Sequence, residues 1–145
     1  MAKFQFRLQN ILSVKEKFEE QKRMELSNAN QLLDIEERRL TQLITLRDNN
    51  NNLYKKMVSD RITVKDIRDF GEKNKYYTNV VLEQNITVTK VNSRVESIRD
   101  ELKEALIEKK MYEKLKENAY EEYYKEECKE EQKHLDEIVS YKYRK

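Results

Sequence analysis

Val88-Thr89-Lys90-Val91-Asn92-Ser93-Arg94-Val95-Glu96-Ser97-Ile98-Arg99-Asp100-Glu101-Leu102-Lys103-Glu104-Ala105 decides the fold. Apolar residues fall at 88, 91, 95, 98, 102 and 105, in alternating steps of three and four, with polar residues everywhere between. An α-helix turns once in 3.6 residues, so this spacing draws one apolar stripe along one face, as a coiled-coil seam requires. Followed outward, the stripe takes in Ile67, Phe70, Asn74, Tyr77, Val81 and Gln84 upstream, and Lys109 and Tyr112 downstream.

The first half carries a second stripe: Phe4, Leu8, Ile11, Lys15, Phe18, Lys22, Leu26, Ala29, Leu33, Glu36, Leu40, Leu43, Arg47, Asn50, Tyr54 and Met57. Two successive steps of four, Phe18 to Lys22 to Leu26, predict a stutter that locally unwinds the supercoil. Lys22 is a weak seam residue, acceptable when its stem packs and its ammonium reaches water. The Asn49-Asn50-Asn51-Asn52 run consists of weak helix formers, but the seam continues through it and predicts helix.

Ser59-Asp60-Arg61-Ile62-Thr63 separates the halves, and Thr63 with Asp66 forms a capping-box-like helix start. So short a connection favours antiparallel neighbours. The expected fold is all-α: one antiparallel coiled-coil hairpin over residues 1–145, with helix 1 at about 5–58, a turn at about 59–63 and helix 2 at about 64–141. Pairing Met57 with Ile67 sets partner numbers to sum to about 124, so Phe4 meets Tyr120 and Phe18 meets Leu106. Helix 2 then extends beyond residue 120 as a single-helix overhang of roughly 30 Å.

Composition supports long helices and excludes several functions. Charged residues make up 40% and hydrophobic ones 37% of 145, with one Gly and no Pro. Without Pro, only capping or loss of a buried face ends a helix. The net charge of +2 comes from 30 basic and 28 acidic residues, interleaved in sign, so the one-signed stripe of a nucleic-acid binder is missing. No apolar run approaches the roughly 18 residues that span a bilayer. The start, Met1-Ala2-Lys3-Phe4-Gln5-Phe6-Arg7-Leu8, has no secretory apolar core, and Cys128 has no second cysteine to bridge. The reading is a soluble, cytoplasmic chain.

Catalysis finds no support. One Gly excludes a phosphate-cradling loop, and one His with one Cys leaves little for nucleophilic chemistry or zinc. Cys128 and His134 are six apart on one helix and face different directions. Glu122, Glu126 and Glu130 pair with Lys125, Lys129 and Lys133 three residues on, which describes an exposed ion-pair surface. No catalytic residue, metal or cofactor is expected. The stripe of Phe4, Leu8, Ile11 and Leu12 beside Lys3, Arg7 and Lys15 is assigned to packing on helix 2 in preference to a membrane surface.

Two features exceed what a plain coiled coil needs. Near the turn, Leu46 and Leu53 lie on the g side of helix 1, and Val80 lies on the matching side of helix 2 with Tyr76 beside it. The opposite flank of helix 2 offers only Gly71, Thr78 and Asn85. On the overhang, Tyr123, Tyr124, Leu135, Ile138, Val139, Tyr141 and Tyr143 mark apolar faces with no helix 1 to cover them. Both read as partner surfaces.

Lys3-Phe4-Gln5-Phe6-Arg7-Leu8-Gln9, followed by Leu12, Val14-Lys15 and Glu19-Glu20, and Glu130-Glu131-Gln132-Lys133-His134-Leu135-Asp136-Glu137 near the other end, resemble the flagellar export protein FliJ family. Size, basic start, central turn and longer second helix match as well. The resemblance implies a non-enzymatic component of the flagellar type III export apparatus, similar to the central stalk of rotary ATPases. The open end of its hairpin would enter the ring of the hexameric export ATPase, and the protein would also contact the export gate FlhA and export chaperones. It would meet the inner membrane only through protein partners. Carried onto this chain, the ATPase-facing residues are Phe4, Phe6, Leu8, Ile11, Lys133, Leu135, Asp136 and Glu137. The gate-facing ones are Leu43, Leu46, Asn50, Tyr77, Val80 and Gln84, and the flank read from periodicity adds Leu53 and Tyr76. An asymmetric rod in a symmetric ring biases the order of hydrolysis, so the expected mechanism is mechanical coupling. The alternatives are the stalk of a virulence-type secretion system and a coiled-coil spacer or scaffold.

Overall fold

The computed structural model describes residues 3–144; Met1, Ala2 and Lys145 lie outside the described residues. The chain forms two long helices paired antiparallel, α1 (Gln9–Val58) and α2 (Val64–Tyr143), with no strand among the described residues. Contacts group it into two compact units: Arg23–Glu101, which contains the turn, and Met1–Lys22 with Leu102–Lys145, which contains both ends.

In the turn-containing unit, Ala29 packs with Val95 and Ile98, flanked by Leu26 and Leu33. These are seam positions of both helices, and each apolar side chain removed from water there adds about 1–2 kcal/mol. Gln84 interrupts the apolar seam. It is 7% exposed, and its Nε2 donates to the Glu36 backbone carbonyl at 3.0 Å and to Glu36 Oε2 at 2.5 Å. That satisfies a group whose burial unpaired would cost about 1–3 kcal/mol. Near the turn Tyr54 and Phe70 stack with centroids 3.8 Å apart.

The turn is closed from both sides. Asp60 N–H donates to the Met57 carbonyl and Ser59 Oγ to the Lys56 carbonyl, using up acceptors at the end of α1. At the start of α2, Asp66 N–H donates to Thr63 Oγ1 at 3.2 Å, and Thr63 N–H donates to Asp66 Oδ2 at 3.3 Å. This is the reciprocal capping box that the Thr63–Asp66 spacing describes. Asp66 in the first turn of α2 and Lys55 and Lys56 in the last turn of α1 also suit the helix dipoles. Gly71 is helical, and a Cβ added to it would meet nothing within 4 Å.

The end-containing unit departs from the expected seam. Leu12 and Glu19 are its most buried α1 residues, while Ile11 and Phe18 lie exposed on the flank, Phe18 at 44%. The seam therefore runs Leu8, Leu12, Lys15, Glu19, Lys22, Leu26 in strict alternation of four and three. No stutter is needed at Phe18–Lys22–Leu26. Scoring by hydrophobicity favours Phe18 over Glu19, but an uninterrupted heptad keeps one face toward α2, and the geometry prevails. Lys22 Nζ lies 5.4 Å from the Phe18 ring centroid, a cation–π contact that covers part of the displaced aromatic.

Helix α1 begins at Gln9, later than the expected start near residue 5. Gln9 N–H donates to the Phe6 carbonyl, and Lys3–Phe6 is not helical. Phe4 reaches α2 as the register requires: its ring sits edge-on to Tyr120 at 5.3 Å and tilted against Tyr123 at 5.4 Å. A helical Lys3–Phe6 would continue the line of α1, whereas the non-helical segment lets Phe4 fold onto two rings.

Candidate protein-binding surfaces

The flank near the turn lies wholly within one unit and is built from g-type positions of both helices. Leu46 and Leu53 on α1 are exposed, as is Tyr76 on α2, while Val80 is half-buried beside the seam. The Tyr76 and Tyr77 rings meet edge to face at 5.6 Å, so two aromatics are held together at one edge of this patch. Of the remaining residues assigned to it, Leu43, Asn50 and Tyr77 are half-buried in the seam, and the Gln84 amide is engaged with Glu36. The amide nitrogen of Asn50 is buried with no hydrogen-bond partner. It lines a cleft of about 150 Å³ with Leu53, Tyr54, Met57, Asp66, Asp69, Phe70 and Lys73. The accessible part of the flank is therefore Leu46, Leu53 and Tyr76, with Val80 at its base.

At the chain ends, Lys3–Leu8 and the α2 residues Leu115, Ala119, Glu122, Tyr123 and Glu126 enclose an open groove of about 670 Å³. Phe4, Phe6 and Leu8 are half-buried along it, and Ile11 is exposed. Helix α2 continues past this groove. From Cys128 to Arg144 every residue is exposed, among them Lys133, Leu135, Asp136 and Glu137. Leu135, at 56% exposure, and Ile138 share a helix face with Tyr124 and Cys128, in steps of four or seven and then three. That face is rotated by roughly a third of a turn from the Ala119–Tyr123 seam, at 100° per residue. The overhang thus carries its own apolar stripe in place of an extension of the hairpin seam. The sequence signal was present in the offset of Tyr124, Leu135 and Ile138 from the seam numbering.

No group of three or more His, Cys, Asp or Glu among the described residues is placed to hold a metal ion, and Cys128 is an exposed thiol. No helix among the described residues is long and apolar enough to cross a membrane. Tyr124 is held above the ordinary tyrosine range, first by the neighbouring Cys128 and its hydrogen bond and then by burial. Tyr123 is raised by burial and then by the Glu127 carboxylate.

Two paired helices with exposed apolar strips define a coiled-coil hairpin. The chain belongs to the flagellar FliJ protein family, whose family model matches residues 4–145, essentially its whole length. Membership makes it a component of the flagellar export apparatus, in a family of non-catalytic members. No match was found among curated proteins or among solved structures.

Proposed function

We propose that residues 1–145 work as one stalk-like domain that binds the hexameric flagellar export ATPase through the chain ends and engages the export gate FlhA through the flank near the turn. The observation that carries this reading is the overhang. Helix α2 outlasts α1, and its last turns present Leu135, Ile138 and Val139 to solvent. A lone helix of that length is marginal in water, so a covering surface stabilises it. Phe4, Phe6, Leu8 and Ile11, with Lys133, Leu135, Asp136 and Glu137, form the ATPase-facing set.

The flank supplies the second contact, through Leu46, Leu53, Tyr76 and Val80 with Leu43, Asn50, Tyr77 and Gln84 around them. Contact with unequal subunits of the ring at one site and with the gate at the other links ATP turnover to export. Export chaperones are the third class of partner, and the chain sits at the inner membrane only through these proteins. Leu46→Asp with Leu53→Asp tests the gate contact, because both side chains are exposed and folding is not at stake. Unchanged helicity by circular dichroism with at least tenfold weaker gate binding is expected; unchanged affinity would remove the site.

A further inference from the structure

The seam of the end-containing unit holds charges where a coiled coil ordinarily holds leucine. Glu19 is 1% exposed, and its Oε2 lies 3.7 Å from Lys109 Nζ. Beside it, Lys15 Nζ donates to Glu108 Oε2 at 2.6 Å. The signs are reciprocal: α1 contributes a cation then an anion, and α2 contributes an anion then a cation. Lys22 follows on α1 and Lys116 on α2, both half-buried at seam positions.

Such a layer is a poor source of stability, because desolvating the ions consumes most of what their attraction returns. Its effect is on partner choice. Seam positions Val88 to Ala105 of α2 are apolar without exception, and an uninterrupted apolar heptad with β-branched residues pairs readily with a second copy of itself. Beyond Ala105 the next seam residue is Lys109. In a parallel pair of two α2 helices, Lys109 would be buried against Lys109 of the other copy, and Lys116 against Lys116. In a parallel pair of two α1 helices, Glu19 would face Glu19, with Lys15 and Lys22 likewise opposed to themselves. The α1–α2 antiparallel arrangement instead sets Glu19 against Lys109 and Lys15 against Glu108, opposite charges in both cases.

We propose that the Lys15–Glu108 and Glu19–Lys109 layer is a pairing filter, which denies each helix a like helix from a second copy and reserves the apolar seam for the hairpin. Specificity of this kind comes from a penalty placed on the wrong partner more than from a gain with the right one.

The exposed Cys128 provides a single labelling position for the test. Donor- and acceptor-labelled full-length chains are mixed at micromolar concentration, and energy transfer is measured for three proteins: wild type, Glu19→Leu with Lys109→Leu, and Glu19→Lys with Lys109→Glu. The leucine pair should melt higher than wild type and show transfer on mixing. Wild type and the charge exchange, whose like-helix pairings still oppose cations or anions, should show none. Transfer in wild type equal to that of the leucine pair, or none in the leucine pair, would overturn the filter. Strong transfer in the charge-exchanged chain would overturn it equally.

Discussion

Glu19 and Lys109 form an ion pair at 3.7 Å across the two helices, with the Glu19 side chain almost wholly removed from water and the Lys109 side chain a quarter exposed. This asymmetry sets what each truncation does. Glu19→Ala leaves a cation that can turn its stem outward, so the expected loss is about 1–3 kcal/mol, below the usual cost of orphaning a buried charge. Urea denaturation measures the loss, and hydrogen exchange should accelerate near residues 12–22 and 105–112 while the Ala29–Val95–Ile98 cluster keeps its protection. Uniform loss of protection along both helices would contradict this.

That cluster holds the turn-containing unit together, and Ile98 is buried against Ala29 and Val95. Ile98→Ala should cost about 2–4 kcal/mol, as removal of buried methylenes leaves a cavity between helices that close only partly. A drop below about 1 kcal/mol in thermal or urea unfolding would mean the seam repacks freely there.

Gly71 offers the opposite change. It lies in a helix at ordinary φ, and an added Cβ would stand in open space. Gly71→Ala should therefore stabilise by about 0.5–1 kcal/mol through helix propensity and reduced freedom of the unfolded chain. A destabilised variant would show that a bend at this position is needed.

Alkaline pH should loosen the end-containing unit first. The hydrogen bond to Glu108 raises the Lys15 ammonium above its ordinary value, aided by the Glu108 charge and opposed by desolvation. A raised folded-state value means that the contribution is present in full below the unfolded value of about 10.4 and is lost as pH rises through the folded one. Tyr123 and Tyr124, also raised, act in the same direction and window. Melting temperature should thus fall above roughly pH 10, and less steeply in Lys15→Met. Identical pH profiles for the variant and wild type would contradict this role of the Lys15–Glu108 contact.

The sequence made the helices, the capped turn and the antiparallel pairing legible because each rests on local rules: a heptad, a Thr63–Asp66 spacing and a short connection. The Phe4–Tyr120 meeting followed from the same register. The placement of Glu19 did not, because hydrophobicity nominates Phe18, and only the demand for an unbroken seam puts a carboxylate inside. Lys3–Phe6 was hidden for a related reason: its non-helical course carries Phe4 onto Tyr120 and Tyr123, more than a hundred residues away. Of the surface residues, periodicity found Leu46, Leu53 and Tyr76, which side chains on the outside of a seam reveal directly. Gln84 entered the gate-facing set by resemblance although its seam position already turns it inward, and what the spacing could not show is the hydrogen bond of its amide to Glu36.

The stalk reading is tested most directly by titrating the purified chain into the flagellar export ATPase while following hydrolysis rate and oligomeric state together. Stimulation accompanied by hexamer formation, lost when Leu135→Asp and Ile138→Asp are introduced into the exposed overhang, is the predicted result. No change in rate and no complex at micromolar concentration would contradict it, and would leave a coiled-coil spacer or chaperone escort within the export apparatus.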